Sequence, residues 1–332
     1  MVLGSELSSV EICAGAGGQA LGLELAGFGH DLVVEIDAMA CATLRANRPS
    51  WTVHEQDVQE LSGRQFKGID LFAGGVPCPP FSVAGRQLGA EDERDLFPTA
   101  LRLIEEARPQ AVLLENVPGL ASARFADYRK RVIDRLTKQK YQVWWQVVTS
   151  SSYGVPQLRP RFILVAIRGK AADYFAWPQP TGTCLTVGDS LSDLMSSRGW
   201  RGASRWVKKA NGVAPTIVGG SKKHGGPDLG PTRARERWLQ LGVDGIGIAN
   251  EAPGPELPIK HIPRLTVRMG ARIQGFPDSW SFTGRKTAAW RQVGNAFPPP
   301  VAEAIGAAIR DAIHLRKPQA QPEQTLLTLR QG

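Results

Sequence analysis

Apolar residues recur in short runs along the first half of the chain, at 9–13, 32–36, 69–73, 111–115, 143–148 and 162–167, each long enough for one strand. A further short strand is read at 51–54. Between the runs lie stretches of helical period, at 19–26, 38–46, 96–107 and 128–136. Strand alternating with helix predicts a doubly wound α/β fold with a mainly parallel sheet over 1–167. From 168 to 262 the period fades while Gly, Pro, Arg and Trp rise, which predicts a second, smaller, loop-rich domain with few regular elements. Periodicity returns at 264–275 and in a last helix at 299–314, where Val301, Ile305, Ala308, Ile309 and Ala312 share one face and the opening prolines suit a first turn. Segment 263–315 is therefore assigned to the first domain again, and the polar, Gln-rich tail 316–332 is expected to be disordered.

Composition narrows the classes. The chain has 332 residues, 42% hydrophobic and 21% charged, enough for one large core and a smaller one. No apolar run reaches the roughly 20 residues of a membrane helix, and no secretory signal opens the chain, so no membrane partner is expected. The four cysteines, Cys13, Cys41, Cys78 and Cys184, show no C-x-x-C or His/Cys clustering. That spacing argues against a metal site or a disulfide scaffold and for a reducing, cytoplasmic compartment. The net charge is +9, and residues 198–237 hold ten Lys/Arg against Asp228 and Glu236, a local excess of +8. Two readings stand open here: a solvated basic loop, or a surface that neutralises phosphates.

Chemistry is expected where strands end, because doubly wound sheets bind ligands at those carboxyl ends. The first strand runs into Ala14-Gly15-Ala16-Gly17-Gly18-Gln19-Ala20, a glycine turn that lets a ligand approach backbone. About twenty residues on, Glu35 and Asp37 are candidates to hold ribose hydroxyls, and Asp57 ends the next strand. This motif indicates an adenosine-containing cofactor and leaves a nicotinamide dinucleotide and S-adenosylmethionine both open. The strand at 69–73 leads into Gly74-Gly75-Val76-Pro77-Cys78-Pro79-Pro80-Phe81-Ser82, where prolines hold a cysteine at the ligand-facing edge. The strand at 111–115 ends in Glu115-Asn116-Val117-Pro118. A lone buried Cys or a strand-end Glu is commonly structural. Two strand ends carrying reactive residues among prolines point instead to a catalytic edge.

Pro77-Cys78-Pro79-Pro80-Phe81-Ser82 and Glu115-Asn116-Val117 resemble the catalytic motifs of the DNA (cytosine-5)-methyltransferase family of bacterial restriction–modification type. Further blocks follow in that family's order: Glu11-Ile12-Cys13-Ala14-Gly15-Ala16-Gly17-Gly18, Gln157-Leu158-Arg159-Pro160-Arg161, Arg264-Leu265-Thr266-Val267-Arg268 with Arg272 to Pro277, and Gln292-Val293-Gly294-Asn295-Ala296. The resemblance spans roughly 9–313. It implies a Rossmann-like methyltransferase fold with 168–262 as target-recognition domain, S-adenosylmethionine as donor, S-adenosylhomocysteine as product, and no metal. It also implies double-stranded DNA as partner, a monomer, a restriction endonuclease acting separately, and a location on bacterial DNA in the cytoplasm. Cys13 stands where the family usually carries a Phe against the adenine, so another apolar group is expected there. Met269-Gly270 replaces a more usual acidic-small pair.

Roles carried over by the resemblance are these. Cys78 adds to cytosine C6, Glu115 as an acid hydrogen-bonds N3, and Arg159 and Arg161 grip the base O2 and the nucleotide phosphate. The cofactor would lie against Cys13, Ala14, Gly15, Ala16, Gly17 and Gly18, then Glu35, Ile36, Asp57 and Val58, with Pro77, Leu96, Asn295 and Phe297 closing the pocket. DNA would meet Ser82, Gln87 and Arg94 on a mobile loop over 82–94, and Thr216, Lys222 and Lys223 in the recognition region. An RNA cytosine-5 methyltransferase on the same fold is the alternative. A dehydrogenase gives Pro77-Cys78-Pro79 and the arginines no role, and a non-catalytic DNA-binding module gives none to Cys78 and Glu115.

Overall fold

The computed structural model describes residues 7–77, 95–182, 185–219 and 227–317. The chain runs β1 (Leu7–Ile12), α1 (Gly18–Leu25), β2 (Phe28–Glu35), α2 (Ala38–Asn47), β3 (Val53–Glu55), β4 (Leu71–Gly75), α3 (Phe97–Ala107), β5 (Ala111–Asn116), α4 (Ala126–Lys138) and β6 (Tyr141–Thr149). It continues with β7 (Gln157–Leu158) and β8 (Pro160–Arg168). One seven-stranded sheet has the order β3-β2-β1-β4-β5-β8-β6. The first five of these strands are parallel, and β8 runs antiparallel between β5 and β6.

Strands buried on both faces must be apolar on both faces, which is why they read as continuous runs. Val10, Ile12, Phe72, Val112 and Leu114 pack under α3 and α4. Leu71, Ala73, Leu113 and Val165 pack under α1 and the last helix, α10 (Pro299–Ile313). Helix α1 lies unusually close to α10 because Gly22 has no side chain. A methyl there would sit 2.5 Å from the Ala302 β-carbon and would also strike the Pro299 carbonyl.

The second lobe holds α5 (Val187–Ser196), α6 (Ala203–Lys209), β9 (Ala214–Pro215) and α7 (Thr232–Gln240); α8 (Val267–Ile273), α9 (Lys286–Asn295) and α10 (Pro299–Ile313) follow. It is more regular than its sequence indicates. Helices of seven to ten residues are too short for periodicity to emerge. Its core gathers Trp200, Trp206 and Trp238 with Leu265, Met269 and Trp290, so α8 and α9 belong as much to this core as to the sheet. Ala171, Ala172 and Phe175, beyond the expected boundary at 168, still pack into the large core. Of the tail at 316–332, residues beyond 317 lie outside the described structure. Among the described residues no helix is long and apolar enough to cross a membrane.

The close crossing of α1 and α10 sets two effects against each other at Gly22. Helix propensity alone favours Ala by about 1 kcal/mol, whereas overpacking costs roughly 1–3 kcal/mol. Gly22→Ala is expected to lower the urea-unfolding midpoint with an unchanged m-value. A raised midpoint would show that the helices separate freely.

Candidate active site

The crevice lies where β1 and β4 are neighbours and their following helices, α1 and α3, leave to opposite faces of the sheet. After β1 the chain turns through left-handed residues, Cys13 at φ 52°, Gly15 at 56° and Gly17 at 85°. Gly17 is backed by Leu44 and Trp280, and the Trp280 indole donates to the Ala16 carbonyl at 3.1 Å, so the turn is rigid. Glu35 ends β2 and faces it. One carboxylate oxygen accepts from Gly15 N at 2.7 Å, and the other accepts from Ile36 N and Asp37 N, each at 2.9 Å. Those amides fix the carboxylate and leave lone pairs for hydroxyl donors. Asp37 is taken up as the N-cap of α2, accepting from Met39 N and Ala40 N. Glu35, which ties down the glycine turn itself, is the better placed of the two candidates to face a ligand held by that turn.

Asp57 accepts from Gln59 N at 2.9 Å and so stands fixed at the end of β3, next to buried Val58. Ile36 is 66% exposed, an unusual state for a strand-end isoleucine, and Cys13 and Leu96 are half-buried. Cys13, Val58 and Leu96 belong to one apolar cluster, and Glu35 and Asp57 lie near the Cys13 thiol. Asn295, the exposed last residue of α9, leans its side-chain Oδ1 over Gly219. Phe297 buries its ring in the core and presses its backbone carbonyl on Gly18, so it offers only backbone to a ligand. A groove of about 600 Å³ behind α1, lined by Leu21, Leu25, Arg48 and Pro299 among others, contains none of these residues.

One strand over, β4 leads through Val76 and Pro77 to Cys78. Cys78, Ser82, Gln87 and Arg94, with the expected loop over 82–94, lie outside the described residues, as do Lys222 and Lys223. Both approaches to 78–94 are pinned. Leu96 N donates to the Pro77 carbonyl at 3.3 Å, and Asn116 Nδ2 donates to the Val76 carbonyl at 2.7 Å. Glu115 is in register with Gly75, and its Oε2 lies 3.5 Å from where a β-carbon on that glycine would be. Glu115 thus stands within van der Waals reach of the Gly75 position, at the end of β4 that leads to Pro77.

Because β8 is antiparallel, its first residues start at the same edge where β5 ends. Arg161 Nε therefore meets Glu115 Oε1 at 2.7 Å, with both side chains less than 15% exposed. Burial pushes the Glu115 carboxyl up, while Arg161 and then Arg159 oppose the rise. Arg159 departs from its expected role. It is 1% exposed, and its two terminal nitrogens donate to the carbonyls of Ile217 at 2.7 Å and Gly294 at 2.8 Å. Burial, then Arg161, lowers its pKa and Glu115 opposes; a guanidinium so placed remains a cation. It holds chain segments together instead of reaching for base or phosphate, because two inward carbonyls demand a donor.

Sequence reading left two residues without roles. Gln157 accepts from Ile217 N at 2.8 Å and donates to Gln274 Oε1 at 2.6 Å, and Asn116 staples β5 to the Cys78 approach. The signal for Gln157 was present: positions 157, 159 and 161 alternate along an extended segment and so share a side. Thr216 Oγ1 donates to the Leu158 carbonyl, fixing the start of the segment that leads to 220–226. On the second lobe Arg201, Arg205, Lys208, Lys209, Arg233 and Arg237 are exposed.

A family model described as C-5 cytosine-specific DNA methylase matches residues 7–311. The Type II methyltransferase M.NaeI of Lentzea aerocolonigenes is 57% identical over 313 residues, covering 93% of this chain and 76% of that protein. M.NgoMIV of Neisseria gonorrhoeae is 50% identical over 312 residues, covering 93% of this chain and 98% of that protein. Among solved structures, one described as a prophage-encoded DNA modification methyltransferase of Escherichia coli superposes with a TM-score of 0.67 at 24% identity, covering 93% of this chain and 99% of that one. The sheet order and the paired strand-end motifs are those of an S-adenosylmethionine-dependent methyltransferase fold, and the chain belongs to the C-5 cytosine-specific DNA methylase family.

Proposed function

We propose that this chain transfers a methyl group from S-adenosylmethionine to C5 of a cytosine turned out of a specific duplex DNA sequence. The observation that carries the reading is the placement of Glu115. It lies over Gly75, beside the approach to Cys78, and is gripped by Arg161, with the cofactor turn on the adjacent strand. Cytosine C5 is too poor a nucleophile to attack unaided. Addition of the Cys78 thiolate at C6 breaks the ring's aromaticity and makes C5 enamine-like. Glu115, protonated, donates to N3 and stabilises the negative charge that addition creates. Arg161 holds Glu115 in place and faces the base O2, and Arg159 positions both. Once C5 is methylated, its proton leaves to a base in the site and Cys78 is eliminated.

Bound S-adenosylmethionine supplies the electrophilic methyl group. Glu35 would hold its ribose, Asp57 its adenine amino group, and Cys13, Ile36, Val58 and Leu96 the adenine faces. The turn Ala14 to Gly18, Pro77, Asn295 and the Phe297 backbone would line its methionine end. Residues 168–262 act as the recognition domain. The exposed cations of α6 and α7, with Lys222 and Lys223, neutralise phosphates, and Ser82, Gln87, Arg94 and Thr216 border the flipped nucleotide. The relatives' names support a restriction–modification setting; in it the chain would act on DNA as a cytoplasmic monomer, with a restriction endonuclease working separately.

Plasmid DNA from cells making the protein is expected to keep cytosines of one sequence context through bisulfite conversion. Cys78→Ser should abolish both this protection and the covalent adduct with 5-fluorocytosine DNA. Uniform conversion by folded protein, or equal adduct in the variant, would refute the reading; methylation confined to RNA would move the substrate to the alternative class.

Glu115 acts as an acid, so its contribution persists below its burial-raised pKa and fades as pH rises through it. Glu115→Gln keeps a donor that does not titrate. Its kcat is expected to fall by roughly 10² or more, and the high-pH decline of the wild type should vanish from its pH–rate profile. A decline that survives the substitution belongs to another group.

A further inference from the structure

Glu11 lies at the root of the cofactor turn and has no role in the chemistry above. It is fully buried in β1, in register with Val33 on one side and Ala73 on the other, and it faces the side of the sheet covered by α1. Among the described residues, neither of its carboxyl oxygens has a hydrogen-bond partner. The backbone amide of Ala20, in the first turn of α1, faces it without closing a bond of ordinary geometry. Gln19, 3% exposed in the same turn, likewise has no partner for either amide atom. Two orphaned polar side chains under one ligand turn are costly, and natural interiors rarely keep such groups without reason.

The electrostatic surroundings are one-sided. From β2, Glu35 faces Glu11, and His30 bonds the Ala20 carbonyl and Ser9 Oγ through its two nitrogens, held neutral by burial. From the turn come the Cys13 thiol, pushed up by burial, and beyond it Asp57. β4 presents Ala73 and Gly75, and α1 presents Gln19. No cation is among them. Burial pushes the Glu11 carboxyl well above the usual carboxylate range, the Ala20 amide opposing and Glu35 adding to the rise. A carboxylate in such a place is stable only with a positive charge nearby. Two residues further along the chain, about 7 Å in an extended strand, the turn opens onto the cofactor crevice. The cofactor is itself a cation.

We propose that Glu11 reads the charge of the cofactor: it is a neutral acid in the free protein and beside S-adenosylhomocysteine, and gives up its proton when S-adenosylmethionine binds. This rests on the reading of 13–18 as the S-adenosylmethionine turn. The two compounds share adenosine, amine and carboxylate and differ by the methyl group and the sulfonium charge. On transfer the carbon–sulfur bond breaks, its electron pair stays on sulfur, and the positive charge beside Glu11 disappears. Glu11 then regains a proton from solvent, and the site loses its preference for the molecule it holds. Glu11 is thus a positioning and specificity residue, favouring substrate over product without touching the transferred methyl.

Titration calorimetry in buffers of different ionisation enthalpy, at neutral pH and without DNA, reads the protons exchanged. S-adenosylmethionine should release about one proton more than S-adenosylhomocysteine, and sinefungin, which carries an amine in place of the sulfonium, should behave as the cation. By linkage the affinity ratio of substrate to product should rise by up to about tenfold per pH unit. Glu11→Gln should remove both the proton difference and the pH dependence, and Glu11→Asp should restore part of each. Cys78→Ala should leave both intact. Equal release by the two compounds, a difference that survives Glu11→Gln, or one lost in Cys78→Ala would overturn the proposal. If neither compound bound the wild type, the cofactor reading itself would fall, and the proposal with it.

Discussion

Two backbone carbonyls, those of Ile217 in the second lobe and Gly294 at the end of α9, converge on the guanidinium of Arg159. Leaving a buried guanidinium without acceptors costs several kcal/mol, so neither carbonyl can move away without loss. Gln157 repeats the tie two residues earlier, accepting from Ile217 N and passing a hydrogen bond to Gln274. Three distant stretches are locked together by these contacts: 157–161, 216–219 and 294–296. Gly219 and Gly294 meet backbone to backbone, with 2.5 Å between the Gly219 α-carbon and the place a Gly294 side chain would begin. One stretch brings Arg161 to the acid, one leads into the proposed recognition region, and one carries Asn295, which the proposal sets at the cofactor. The site depends on their being held as a unit.

Charge is divided across the crevice. Where β5 ends and β8 begins, Arg159 and Arg161 outnumber Glu115, so the buried cluster holds an excess positive charge even with the acid ionised. In the proposed reaction that field would favour a Cys78 thiolate and the anionic ring formed by its addition. On the cofactor side, Glu11, Glu35 and Asp57 gather with no buried cation among them. Burial raises both Glu11 and Glu115, but only Glu115 has guanidinium groups opposing the rise. Two acids on one sheet are thereby fitted for different duties by their neighbours alone.

Much of this architecture was legible because a sheet buried on both faces must write its strands as apolar runs and its helices as the gaps between them. The strand-end motifs were legible for a related reason: glycine and proline mark where backbone must turn beside a ligand. The direction of β8 was not. A strand's orientation leaves no trace in its own residues, yet it brings Arg161 to Glu115. Nor was the burial of Arg159 visible, because its acceptors lie more than 50 residues away in sequence. The helices of the second lobe escaped periodicity because each spans three turns or fewer and is held by tryptophans instead of a long apolar stripe.

Cys13 shows how a local departure is absorbed. At φ 52° it occupies a region that few side chains tolerate, and a small one fits with least strain. Burial keeps its thiol neutral, so in the proposed complex it would meet the adenine as an apolar surface and not as a nucleophile. In that complex the stacking area that a Phe would offer has to come from another apolar group. Ile36 stands 66% exposed at the end of β2, with its backbone amide held by Glu35. An exposed isoleucine on a rigid backbone gains most by being covered, at about 25 cal/mol per Å² of apolar surface removed from water. In the proposed complex, adenine binding would thereby shift from aromatic stacking to aliphatic burial, while Glu35 and Asp57 stay where the sheet puts them.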